Sequence, residues 1–199
     1  AIAALPCIAQ LWLSPRLGRL QQAFPGLQIS VSAMEEPPDP RRDSHDLSLF
    51  YRDAAAEPSA LRIGPDAILP VCVPPLAERL VSTADLAGQT LLHDAVWRGD
   101  WARWLAIAAP GSRVDPARGP AFSLYSLALD AALSGAGVLM GRMSLIAPHL
   151  AAGRLAAPFR QAVATADSLT LTPATHLGAH ARRIEVMEWL VASAEAAQI

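Results

Sequence analysis

The sequence predicts an α/β protein, and three observations predict it. Short apolar runs suited to strands recur along the chain, amphipathic helical periods separate them, and Gly- or Pro-containing turns mark the changes of period. The chain has 199 residues, and its number of strand–helix units suits two small lobes better than one wide sheet.

Ala1 to Ala4 are short and apolar and read as the end of a strand. Leu13, Leu17, Leu20 and Phe24 then recur on one face of a 3.6-residue helix, with Arg16, Arg19 and Gln22 off that line. Pro25-Gly26 ends the helix, and Leu27, Ile29 and Val31 alternate with polar neighbours as a strand with one face in a core. Strand, helix, strand make a βαβ unit. Residues 34–46, rich in Pro and charge, read as a surface loop, and Leu47 to Tyr51 as a short strand. Ile63 to Asp66 read as a turn into a buried strand over 67–73, and Pro74-Pro75 open a helix. Thr83 to Leu86 form a short helical turn, and Thr90 to His93 a strand. Asp100 is expected to cap a helix whose Trp101, Trp104 and Leu105 share a face. Beyond a linker over 110–120 come a helix through Leu133, a strand over Val138 to Met140, and a helix from Ser144 stopped by Gly153. A weak strand near Leu169 to Leu171, a break over Pro173 to Gly178 and an amphipathic helix from His180 to Ala194 complete the chain.

Composition excludes several classes. Sixteen basic and eighteen acidic residues give a formal charge of -2, without the concentrated basic patch of a nucleic-acid binder. Two cysteines, Cys7 and Cys72, read as free thiols in a reducing compartment rather than a disulfide framework. No apolar run is long enough to cross a bilayer, so no membrane partner is expected. The first residue is Ala and no signal-like region precedes it, which reads as a piece of a longer protein. GxSxG and HExxH are absent, and SGAG at 134–137 lacks the rest of a dinucleotide fingerprint. His176 and His180 flank Gly178 and read as surface residues, so neither a metal nor a cofactor is expected.

Several blocks, taken in order, resemble the effector-binding region of LysR-type bacterial transcription regulators. They are PCIAQLWLSPRLGRLQQAFPGLQI, DLSLFYR, ILPVCVPPLAERL, DLAGQTLLH with WARWL, ALDAALSGAGVLMGRMSLIAPHLAAGRLAAPF and the closing MEWLVAS. Trp-Leu-x-Pro-Arg-Leu and Trp101/Trp104 look nearest to glycine-cleavage activators and β-lactamase inducers. The resemblance implies two Rossmann-like lobes of the periplasmic-binding-protein type joined by crossing strands. Lobe one would take residues 1–68 and 169–199, and lobe two 69–168. It also implies a small effector between the lobes, a cytoplasmic homodimer, and DNA contacted only through an N-terminal winged helix-turn-helix outside this chain. An amino acid or a peptidoglycan fragment is the expected kind of effector. The segment PPDPRRDSH and the Arg52-Asp53 pair depart from the family pattern at the expected cleft.

The candidate site follows from strand ends. If a strand ends at Ala4, then Pro6, Cys7 and Ile8 lie at a carboxyl edge, where open α/β sheets bind ligands. The helix start there offers backbone N–H groups and a positive dipole end. Resemblance makes Cys7 a pocket residue, while a small buried hydrophobe is the plainer reading. Arg52 and Asp53 follow another strand end and suit a zwitterion, one charge each, or equally a surface ion pair. His93 lies at a third strand-to-loop junction. Phe122, Ser123 and Tyr125 resemble the lobe-two side of the cleft, with core packing the alternative for the two rings, and Ser168 lies near the return crossing. Trp12, Arg16 and Arg19 are candidates for a dimer interface with an apolar centre and charged rim. A self-association module without a small ligand, and a periplasmic solute-binding protein, are the alternative functions.

Overall fold

The computed structural model describes residues 1–195 apart from 40, 43, 53–59 and 176–180, and of residue 195 only the backbone. Among the described residues the strands are β1 (Ile2–Ala4), β2 (Val31–Ala33), β3 (Leu47–Arg52), β4 (Leu61–Gly64), β5 (Ala67–Val71), β6 (Leu91–Asp94), β7 (Ala121–Phe122), β8 (Val138–Arg142), β9 (Val163–Ala164) and β10 (Ser168–Pro173). The α-helices are α1 (Ser14–Ala23), α2 (Pro74–Ala77), α3 (Asp100–Ala108), α4 (Tyr125–Leu133), α5 (Met143–Ala151) and α6 (Ala181–Glu195). None of them is long and apolar enough to cross a membrane. The chain divides into two compact units: Ala1–Asp66 with Ala166–Ile199, here lobe one, and Ala67–Thr165, lobe two.

Lobe one carries a five-stranded sheet in the order β2-β1-β3-β10-β4. β1 pairs in parallel with β2 and β3, whereas β10 runs antiparallel to β3 and β4. The helix after β1 begins in an unexpected register. Ile8–Leu13 is π-helical, and the Ser14 amide donates to the Ala9 carbonyl, five residues back. Pro15 supplies the physical reason: it has no N–H for the Leu11 carbonyl and its ring crowds that group, so the wider turn relieves the clash.

Three expectations for lobe one need correction. Leu27 to Val31 is not a strand with a core face: the ladder is confined to Val31–Ala33 at the sheet edge, and Val31 is exposed. Ile63-Gly64 is not a turn but part of edge strand β4, paired to β10. Trp12 does not stand outside the lobe: it is 2% exposed, and Arg16 covers its ring with the guanidinium carbon 4.3 Å from the centroid.

Lobe two carries its own five-stranded sheet, β7-β6-β8-β5-β9, with β6 parallel to β7 and β8 and with β5 antiparallel to β8 and β9. Its core joins Trp101 and Trp104 of α3 to Ile68, Leu91, Val138, Met140 and Phe159. Each indole N–H is bonded, Trp101 to the Leu92 carbonyl at 3.1 Å and Trp104 to the Gln161 carbonyl at 2.8 Å. Asp100 is the first helical residue and not the cap, a position Gly99 takes without a side-chain bond, and its carboxylate is used elsewhere. Ser82 and Asp85 form the capping box of the short 3-10 helix Thr83–Gly88.

Gly119 leads the chain into β7 and no other residue type fits there. Its φ is +120°, and a Cβ would stand 1.9 Å from the Leu91 carbonyl oxygen.

Cys72 is fully buried, and burial pushes its thiol from 9.0 up to about 11. The unfolded chain therefore loses this proton first as pH rises. The stability associated with the neutral thiol is intact below pH 9 and is lost progressively as pH rises toward about 11. In a Cys7→Ala background, alkylation of Cys72 at pH 8 is expected to follow global unfolding, and Cys72→Ala should flatten the alkaline limb of a urea-midpoint profile. Rapid alkylation of the folded protein would contradict this.

Candidate functional site

The expected effector residues that are described lie at or beside the carboxyl edges of the parallel strands in each lobe. In lobe one, Pro6 and Cys7 follow β1, Arg52 ends β3, and Ser168 begins β10 directly opposite Arg52 in the ladder. The register of β1 on β3, Ala4 beside Leu49, carries both chains to the same edge before Cys7 and Arg52 are reached. Cys7 is 5% exposed and already helical, at φ −66° and ψ −34°. It therefore stands in the first turn, where amide N–H groups lack intrahelical acceptors and the dipole is positive. Pro6 has no such N–H to give. Ile8 follows in the π-helical turn and is fully buried in the lobe core. Ser168 is 4% exposed and Arg52 half-buried. Asp53 lies outside the described residues.

In lobe two the corresponding edge is formed by β6, β7 and β8. Asp94 pairs with Phe122 in the ladder, and Leu92 with Leu139, which brings Arg142 to the same edge. His93 is buried, with Nε2 3.1 Å from the Arg118 carbonyl oxygen. A carbonyl only accepts, so Nε2 carries the proton, and His93 holds the loop entering β7. Asp94 accepts from the Val96 and Trp97 amides at 2.7 and 3.1 Å, which turns the chain off β6. Phe122 is half-buried, Ser123 exposed and Tyr125 buried at 3%.

The residue that the sequence reading missed is Arg142. It is 2% exposed, with Nη2 3.1 Å from Asp100 Oδ2 and Nε 3.2 Å from the same oxygen. Its guanidinium carbon lies 3.9 Å from the centre of the Trp97 ring. Its backbone N–H donates to the Tyr125 hydroxyl at 3.0 Å, and Tyr125 and Trp97 meet edge to face at 5.6 Å. This is a charge-assisted, π-stacked clamp that fixes the end of β8, the start of α3 and the start of α4 together. The one available signal was a charged residue closing the apolar run VLMGR. Tyr125 is thus committed to the clamp through its ring and its oxygen, and Ser123 is the outward-facing hydroxyl beside it.

Two α/β lobes, each with polar groups and a helix start at the carboxyl edge of its parallel strands, define a ligand-binding module of the periplasmic-binding-protein type. The family described as LysR substrate binding domain matches residues 1–194, and the chain belongs to it. It is 31% identical over 210 residues to the glycine cleavage system transcriptional activator of Escherichia coli K12, covering 99% of this chain. The chain spans 65% of that relative's length. It is also 35% identical over 167 residues to the HTH-type transcriptional regulator DsdC of the same organism, covering 77% of this chain and 52% of that protein. The effector domain of the transcriptional regulator AmpR of Pseudomonas aeruginosa superposes with a TM-score of 0.81 at 25% identity, over 98% of this chain and 94% of that one. The family and fold that the sequence blocks resemble are therefore those of the protein.

Proposed function

We propose that this effector-binding domain recognises a small carboxylate-bearing molecule, an amino acid or a peptidoglycan fragment, through groups at the carboxyl edges of its parallel strands. The observation carrying this reading is the convergence at one edge of lobe one of a helix start, Arg52 and Ser168. Helix-start amides and the Arg52 guanidinium suit a carboxylate, and Ser168 opposite Arg52 offers a hydroxyl; in lobe two Ser123 is the exposed hydroxyl of the corresponding edge. Arg142 acts indirectly, by holding the strand and helix ends that present Ser123. The domain is non-catalytic, and the full protein is a cytoplasmic transcription regulator. Effector bound more tightly by one arrangement of the domain shifts its population and so the geometry of an attached DNA-reading domain.

The domain works as a homodimer in this reading. Support comes from α1, where burial and the neighbouring Arg19 hold the Arg16 guanidinium below its ordinary value. A carboxylate from a second copy, meeting the accessible part of this half-buried group, would offset that lowering. With Trp12 inside the lobe, the contact is a charged one made by Arg16 and Arg19.

Isothermal calorimetry of this domain against proteinogenic and D-amino acids and muropeptides tests the effector site. One compound is expected to bind saturably, with affinity lowered about tenfold by Arg52→Gln and by Ser123→Ala, the scale of one lost charge-assisted hydrogen bond. Saturable binding indifferent to both changes overturns the assignment.

A further inference from the structure

Lobe one contains a cavity of about 410 Å³ at the other end of its sheet, and none of the edge residues above lines it. Its walls include Ala1 and Ile2 at the start of β1 and Leu47 at the start of β3, so it lies at the amino ends of the parallel strands. Leu20 of α1, Val186 of α6, and Leu27 and Ile29 of the segment before β2 form its apolar surface. Leu27 and Ile29 are the residues whose alternation reads as a core-facing strand. They are half-buried, and they face this cavity instead.

Among the described residues, the polar part of the lining is Gln28, Asp46 and the two arginines in the first turn of α6, Arg182 and Arg183. Arg182 is exposed, and its Nη2 donates a long hydrogen bond to the Pro25 carbonyl at 3.5 Å. A guanidinium has five donors, so one long bond leaves its planar fork able to take both oxygens of a carboxylate. An apolar pocket of a few hundred Å³ with a few convergent polar groups is the usual form of a small-ligand site.

We propose that this cavity is a second binding site, for a small monocarboxylate with an apolar body, the carboxylate on Arg182 and the hydrocarbon between Leu27, Ile29 and Val186. The site is built by lobe one alone and is separate from the effector edges. Its ligand would tie the start of α6 to α1 and to the strand starts.

Octanoate is the probe, with octanamide as its uncharged counterpart, titrated calorimetrically into this domain. Octanoate is expected to bind at one site, with octanamide and the Arg182→Gln variant each about tenfold weaker, as for loss of one charge-assisted contact. Leu27→Trp, which fills the cavity from a half-buried loop position, should abolish binding. Ile29→Trp provides the same test if circular dichroism shows the first variant misfolded. Arg52→Gln and Ser123→Ala should leave octanoate affinity within a factor of about two, which separates this site from the effector reading. Absence of saturable binding at millimolar octanoate, equal affinity for octanamide, or binding that survives the filled cavity overturns the proposal.

Discussion

Asp100→Ala is expected to destabilise lobe two by about 3–5 kcal/mol, the scale of removing the carboxylate from a buried ion pair. Arg142 is 2% exposed, so its guanidinium cannot reach water when Asp100 is lost, and the Trp97 ring offers a face but no negative charge. The carboxylate also sits in the first turn of α3, where the helix dipole favours it, so the variant loses that interaction as well. Removing both charges should be far milder. Asp100→Leu with Arg142→Met takes away the desolvation cost along with the attraction, and most of the loss should return. Urea unfolding of the single and double variants measures this, and an Asp100→Ala midpoint equal to that of the parent would show the clamp to be energetically idle. The functional consequence is specific. Because the clamp joins the ends of β8, α3 and α4, Asp100→Ala should weaken effector binding even though Asp100 is placed in no contact with effector.

Local chemistry explains which features the sequence makes legible. The strand end at Ala4 and the helix start at Cys7 are adjacent in the chain, so periodicity and turn residues reveal them without tertiary knowledge. The two tryptophans of α3 share a face because they are three apart, and both are buried as the spacing requires. The clamp has no such signature. Its charged partners are 42 residues apart, and only the pairing of β8 with β6 brings the strand end to the helix start. The same limit applies to β10. Ser168 to Thr172 are all buried, so a central strand covered on both faces shows no alternation and looks weak in sequence. β4 fails for the opposite reason: Leu61 and Arg62 are exposed on an edge, where little packing constrains the residue types. Leu27 and Ile29 show a further limit. Alternation reports an apolar face, and a cavity wall satisfies that pattern as well as a core does.

Trp104→Ala is expected to cost about 3–5 kcal/mol, as for other large buried aromatics replaced by alanine. The ring is fully buried and tilts against Phe159, with centroids 5.7 Å apart. Its removal leaves a cavity in the core that ties α3 to the β5 and β9 side of the sheet. Trp104→Phe separates packing from hydrogen bonding. It retains an aromatic ring near Phe159 and gives up the N–H bond to the Gln161 carbonyl. Gln161 is exposed, so water can take the freed carbonyl, and the loss from that bond should stay near 1 kcal/mol. Each lobe has its own sheet, so the alanine variant should unfold in two steps, with lobe two melting first and lobe one near the parental midpoint. Far-ultraviolet circular dichroism follows both lobes. With Trp12 and Trp189 of lobe one replaced by Phe, the fluorescence of Trp97 and Trp101 reports lobe two, and its midpoint should fall ahead of the dichroism signal. Octanoate should continue to bind at temperatures between the two transitions, because its proposed cavity is built from lobe one alone. A single coincident transition, with octanoate binding lost at the same temperature, would mean that lobe one cannot hold its structure once the core around Trp104 is gone.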